Sequence, residues 1–218
     1  MSAVALSLVS GPARAEMDAP PANRGFQLAL RTGAAVPLGN ASAAAAMSDA
    51  FSIQAPLLVD IGWKPIPHLF IGAFLGTAVG GAAGQVERTC EQLSVNCVGV
   101  GYRAGAVVEW NVRPGEKINP WFGYGFGYEL GGSNGSNGSS SISNSVRGFE
   151  YAHVLAGVDL RLQEYFGIGP FVDAALGTYD VAESRTNQGG LVVNRGGAIE
   201  DKSFHVWLTL GVRVVLLP

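Results

Sequence analysis

Five cations and five carboxylates stand out because each interrupts a run that is otherwise apolar or glycine: Arg31, Lys64, Arg103, Arg161 and Arg213 against Asp60, Glu109, Glu129, Asp159 and Asp173. Charges placed this way cannot be left in hydrocarbon. The chemistry they suit is mutual pairing inside a narrow polar interior, or a gated channel in which the pairs rearrange. Histidine occurs three times, at His68, His153 and His205, and His68, in a short turn between blocks, is expected to be solvated. His153 and His205 could both point inward near the outer end, close to Glu150 and Ser203, as a hydrolase would need, but no nucleophile-base spacing is visible and a rim histidine serves equally as polar filler. The expectation is no catalytic residue, no metal and no cofactor. Cys90 and Cys97 share one loop-like segment with no histidine between or beside them. A zinc site would want more ligands, and in an exported chain a local disulfide is the simpler reading.

The elements that must hold these residues are strands. Of 218 residues 48% are hydrophobic and only 14% charged, too apolar a balance for an ordinary soluble domain. Yet Gly, Asp, Arg or Gln interrupts every apolar run before it reaches the length of a transmembrane helix. Glycine, 31 residues in all, recurs inside the apolar runs, as crowded inward positions of a narrow barrel would require. A net charge of −3 and the absence of any Lys/Arg cluster argue against a nucleic-acid partner. At the N-terminus, a short apolar core over 3–9 and Ala13-Arg14-Ala15 before Glu16 read as an export signal over 1–15, the alternative being a frayed apolar end. Residues 16–24 read as a Pro-rich disordered leader and 25–217 as the barrel.

From Gly25 onward the dominant period is two, in eight blocks. The fifth is the clearest, with Phe122, Tyr124, Phe126, Tyr128 and Leu130 on one face against Gly123, Gly125, Gly127 and Glu129. In the fourth, Tyr102, Val108 and Trp110 oppose Arg103, Val107 and Glu109; in the eighth, Val206, Leu208, Leu210, Val212, Val214 and Leu216 oppose Trp207, Thr209, Gly211 and Arg213. One face is apolar and aromatic, and the other mixes glycine with charge. That is the pattern of lipid outside and a polar interior, whereas a soluble barrel would invert it. The fold class is all-β: an eight-stranded antiparallel up-and-down transmembrane β-barrel.

Links between blocks alternate between short (64–68, 114–118, 163–165) and long, matching short periplasmic turns and long extracellular loops, with both termini periplasmic. Residues 131–141 read as a flexible Gly/Ser/Asn loop, and 41–47 as a short loop helix. A hairpin turn pairing Arg113 with Asn119 sets Trp110 against Phe122 and Arg103 across from Glu129, with Arg31, Asp60, Asp173 and Arg213 forming a second cluster lower down. Trp63, Trp110 and Phe122 are expected at the periplasmic lipid boundary, and Tyr102 and Tyr128 at the outer one.

Pro120-Trp-Phe-Gly-Tyr-Gly-Phe-Gly-Tyr-Glu129, then Gly157-Val-Asp-Leu-Arg-Leu162 followed by Gly169-Pro-Phe-Val172, resembles the OmpA-like and OmpX-like outer-membrane barrel superfamily. The last strand, with Thr209, Gly211, Val214 and Leu216, is similar to the signal read by the barrel-assembly machinery, although a terminal aromatic is usual and this chain ends Leu217-Pro218. The resemblance implies a Gram-negative outer-membrane protein whose partners are the lipid bilayer and that machinery. Its role would be structural or surface-interacting, with the outer loops meeting an extracellular ligand or surface. The alternative is a narrow small-solute pore or an OmpW-like transporter of small hydrophobic molecules.

Overall fold

The computed structural model describes residues 24–138 and 140–218; the expected export segment and all of the leader but Arg24 lie outside them. The described chain runs β1 (Gly25–Ser42), β2 (Ala45–Ala46), β3 (Phe51–Ile66), β4 (Leu69–Ala82), α1 (Gly84–Gln92), β5 (Cys97–Asn111), β6 (Ile118–Ser136), β7 (Ser140–Gln163), β8 (Phe166–Gln188), β9 (Leu191–Ala198) and β10 (Phe204–Leu216). Neighbours pair antiparallel in the order β10-β1-β3-β4-β5-β6-β7-β8, and β10 also pairs with β8. The sheet therefore closes on itself as a ring of eight strands. Closure leaves none of the eight ring strands with a free edge, which is what lets them cross lipid with their backbone groups satisfied. Among the described residues no helix is long and apolar enough to cross a membrane.

The two-residue period of each strand sorts side chains to two environments. Phe26, Leu30, Ile61, Trp63, Ile71, Leu75, Trp110, Phe122, Phe126 and Leu210 all lie exposed on the outside. Arg31, Asp60, Glu109, Glu129, Asp159, Asp173 and Arg213, each on the opposite face of its strand, are buried. The β5–β6 register sets Trp110 against Phe122 and Arg103 against Glu129, as the turn after Asn111 implies. Lumenal glycines make room for rings: a Cβ at Gly157 would lie 2.7 Å from the Trp121 ring, and one at Gly105 2.6 Å from Phe74.

The outer end differs from the expectation of long loose loops. β6 continues to Ser136 and β7 begins at Ser140, so most of 131–141 is strand, paired from Gly131↔Val146 up to Ser136↔Ser141. β8 likewise runs on past the barrel and turns back as β9, pairing Val181↔Ala198 through Gln188↔Leu191. Polar strands can extend here because each has a neighbour to satisfy its backbone, which composition alone does not reveal. Residues 41–47 are not helical: β1 ends at Ser42, β2 follows, and only Met47–Asp49 form a short 3-10 turn. The cysteine segment, expected as loop, contains α1, and Cys90 and Cys97 form a disulfide joining its last turn to the first residue of β5.

Candidate functional site

The chemistry of the chain is concentrated in the lumen, and its residues fall into three tiers. Near the end of the barrel that carries the short turns, Arg213 on β10 donates to Glu109 on β5 at 2.7 Å and approaches Asp159 on β7 at 3.9 Å. Its guanidinium lies 4.0 Å from the ring centroid of Trp121, whose indole N–H donates to Asp159. Lys64, also buried, lies within electrostatic reach of Glu109 and Asp159. Arg161 forms no salt bridge with the described residues, although Glu164 and Asp159 lie in its field.

In the middle tier, Arg31 on β1 clamps Asp60 on β3 bidentately, Nε and one terminal nitrogen each at 2.7 Å, while its other terminal nitrogen donates to Asp173 on β8 at 2.8 Å. All three side chains are essentially without solvent contact. Asp173 also meets Nε2 of His153, whose Nδ1 lies 2.8 Å from a Glu150 oxygen without the alignment of a hydrogen bond. With both ring nitrogens facing carboxylates, His153 has none left to activate a hydroxyl.

The upper tier is organised by Glu129 on β6. It accepts hydrogen bonds from the Tyr179 hydroxyl at 2.8 Å and the Trp207 indole at 2.7 Å, with His205 Nε2 at 3.2 Å. Arg103 faces it across the β5–β6 pair at 3.8 Å and bridges to Glu150 at 3.9 Å. Charge thus continues from Glu129 through Arg103, Glu150, His153 and Asp173 to Arg31 and Asp60. Between and around these groups the lumen is filled by an apolar cluster of Leu58, Phe70, Phe74, Val107, Trp121, Leu155 and Phe171. Above them Met47, Phe51, Tyr179 and Trp207 pack together under the outer connections.

Two expectations need correction. Arg213 does not join Arg31, Asp60 and Asp173, because Arg31 and Arg213 are directly opposed in the β1–β10 register. Two like charges side by side repel, and each turns to a different set of carboxylates. His153 and His205 both point inward, His153 beside Glu150, but into separate surroundings: His205 stacks on Tyr179 with ring centroids 4.1 Å apart, while His153 stands edge-on to Phe74 at 4.9 Å. His68 is not a freely solvated turn residue, since its Nδ1 contacts the Asn111 carbonyl at 2.8 Å and its ring stacks on Trp110.

Sequence reasoning misses Tyr179 and Trp207 as members of the site, and sets Glu150 beside the histidines without giving it a place among the ion pairs. Trp207 is legible, lying on the lumenal face of the last block. Glu150 is not, because a bulge between Glu150 and Ala152 inserts an extra residue and turns both Glu150 and His153 inward despite their opposite parity. Among the described residues no group of His, Cys, Asp and Glu side chains is arranged to hold a metal ion.

Neither a protein-family model nor a curated relative matches the chain. Solved structures do. A major outer membrane protein from Thermus thermophilus aligns over 89% of this chain and 100% of its own, at 12% identity and TM-score 0.55. Neisserial surface protein A aligns over 87% of this chain and 96% of its own, at 16% identity and TM-score 0.43. The Ail protein of Yersinia pestis covers 88% and 99%, at 11% identity and TM-score 0.46. The fold is that of the outer-membrane β-barrels, and with its apolar exterior the protein is a membrane-spanning barrel of that class.

Proposed function

We propose that this is an outer-membrane barrel with a plugged lumen, acting as a structural or surface-interacting protein through its outer extension rather than as an enzyme. The observation that carries this is the lumen itself: Phe70, Phe74, Trp121, Leu155 and Phe171 fill it between tiers of buried ion pairs. Moving ions would have to displace packed rings and break paired charges, each costing several kcal/mol. Outside the barrel, β6 to β9 build a paired polar sheet that offers a surface for contact. Single-channel recording in planar bilayers is the test. The reading expects no discrete conductance steps in symmetrical salt, and reproducible steps would overturn it.

A second reading, lateral passage of small hydrophobic molecules, is favoured by one observation. A depression of about 440 Å³ lies on the lipid-facing side, lined by Leu57, Leu75, Gly76, Tyr102, Arg103 and Tyr128. Gly76 and Arg103 also line a very small lumenal void on the other side of the same strands. Alkane uptake into vesicles carrying the protein would distinguish the two readings. We further propose that the barrel-assembly machinery reads β10 through Thr209, Gly211, Val214 and Leu216. In support, β10 is the strand that closes the ring against both β1 and β8.

A further inference from the structure

The middle and upper tiers of the lumen hold more carboxylates than arginines. Asp60, Asp173, Glu129 and Glu150 are all buried there. Arg31 serves Asp60 and Asp173, and Arg103 is divided between Glu129 and Glu150. Glu129 is also met by the Tyr179 hydroxyl, the Trp207 indole and His205. Glu150 has no such set of donors. It is 1% exposed, neither of its oxygens has a hydrogen-bond partner among the described residues, and Arg103 stands 3.9 Å away. A carboxylate this deep cannot persist as a bare anion, because its charge has lost water and gained only a distant cation.

What does lie against Glu150 is His153. Its Nδ1 is 2.8 Å from Oε1 of Glu150, and its Nε2 meets Asp173 on β8. The bulge between Glu150 and Ala152 builds this contact: without the extra residue, positions 150 and 153 would point to opposite faces of β7. A neutral imidazole carries one N–H and one lone pair. In this site the lone pair would face a carboxylate oxygen at one contact or the other. Only a ring protonated on both nitrogens turns an N–H toward each carboxylate.

We propose that His153 is a missing cation of the lumen, an imidazolium that ties Glu150 to Asp173, so that a single proton locks the middle and upper tiers together. The charged groups around it come from several strands. Glu150 is on β7 itself, Asp173 on β8, Arg31 on β1 holds Asp173 and Asp60 of β3, and Arg103 on β5 reaches Glu150. β4 and β6 pack Phe74 and Gly125 against the ring. When the proton leaves, Glu150 and Asp173 face a neutral ring, and the four carboxylates fall back on two arginines. The lock therefore holds at low pH and is released as rising pH deprotonates the ring, which makes the stability of the barrel answer to the pH of the medium. This inference stands whether or not the barrel conducts.

The experiment is nitrogen NMR of the full barrel labelled with ¹⁵N-histidine in detergent micelles at pH 7, with the His153 signals identified by their loss in His153→Gln. Both ring nitrogens should carry protons. A ring with one bare nitrogen would overturn the proposal, including the case in which Glu150 holds the proton as a carboxylic acid and donates it to Nδ1. Urea titration in lipid vesicles supplies the energetic arm. His153→Gln should shift the unfolding equilibrium at pH 7 by at least about tenfold toward the unfolded state, and adding Glu150→Gln should recover most of that loss, since the carboxylate left without a cation goes too. A double variant no better than the single one would overturn the proposal. The advantage of the parent over His153→Gln should shrink as pH rises, by at most about tenfold per pH unit, until the NMR signals show a neutral ring. A constant advantage over that range would also overturn it. Heat-modifiable gel migration checks folding; if His153→Gln fails to fold, His68→Gln and His205→Gln identify the His153 signals by elimination and the NMR arm decides alone.

Discussion

Replacing Arg31 by Met should be the most damaging single charge removal in the lumen, and its magnitude follows from the contacts. Arg31 makes three charge-assisted hydrogen bonds of 2.7–2.8 Å to two buried carboxylates, Asp60 and Asp173. Truncation leaves Asp60 without the cation that clamps it and Asp173 with His153 alone. Breaking a buried pair in this way typically costs about 3–5 kcal/mol. Arg103→Met supplies the comparison. Its contacts to Glu129 and Glu150 are 3.8 and 3.9 Å, and Glu129 keeps Tyr179, Trp207 and His205 when Arg103 is gone. With those groups still in place, the cost is nearer about 1–2 kcal/mol. The two variants should thus differ by about 2 kcal/mol, or roughly 30-fold in the unfolding equilibrium. Urea titration in lipid vesicles measures this, read as a shift in midpoint at unchanged slope. Equal destabilisation, or a milder effect of Arg31→Met, would refute the reasoning that contact geometry rather than register sets the energy.

Other outcomes follow from the same contacts. Adding Glu129→Leu to Arg103→Met should make matters worse, because the Tyr179 hydroxyl and Trp207 indole lose their acceptor; recovery toward the parent in urea titration would contradict this. Brominated lipids should quench Trp63 and Trp110, which face outward, and spare the lumenal Trp121 and Trp207, as single-tryptophan variants would reveal. Gly157→Ala should destabilise by about 1–3 kcal/mol through collision with the Trp121 ring and the Pro170 carbonyl, measured by the same urea midpoint. Reduction of Cys90–Cys97 should leave the barrel's urea midpoint nearly unchanged while speeding proteolysis between 83 and 97, since the disulfide ties only α1 to the start of β5. A large midpoint shift would mean that this segment is coupled to the barrel.

The strand count and the two faces are legible in the sequence because a membrane barrel imposes period two wherever it meets lipid. A single slipped residue would carry Glu129 or Arg103 into hydrocarbon, so the alternation of β5 and β6 can be read residue by residue, and the short turn at 112–117 then fixes their register. The lumenal glycines are legible for a related reason: in an eight-stranded ring the interior is only wide enough for side chains, so rings such as Phe74 and Trp121 require glycine opposite.

What lies beyond one strand pair is decided by the closed structure. Asp60 and Asp173 reach Arg31 from strands on either side of the β1–β10 seam, and Arg213 turns to Glu109 instead because the closing register sets it beside Arg31. Partner choice is thus a property of the ring and not of any block. The inward turn of Glu150 depends on a bulge, which adds one residue without any mark in the alternation that a sequence reader could separate from a strand end. The outer sheet depends on backbone pairing among Ser-, Asn- and Gly-rich segments, whose side chains carry no hydrophobic period. Hydrophobic alternation records only where a side chain meets lipid or an apolar interior, and above the membrane only scattered residues such as Ile142 and Val146 find apolar neighbours, so the pattern there is too sparse to read and the pairing of the backbones determines the fold.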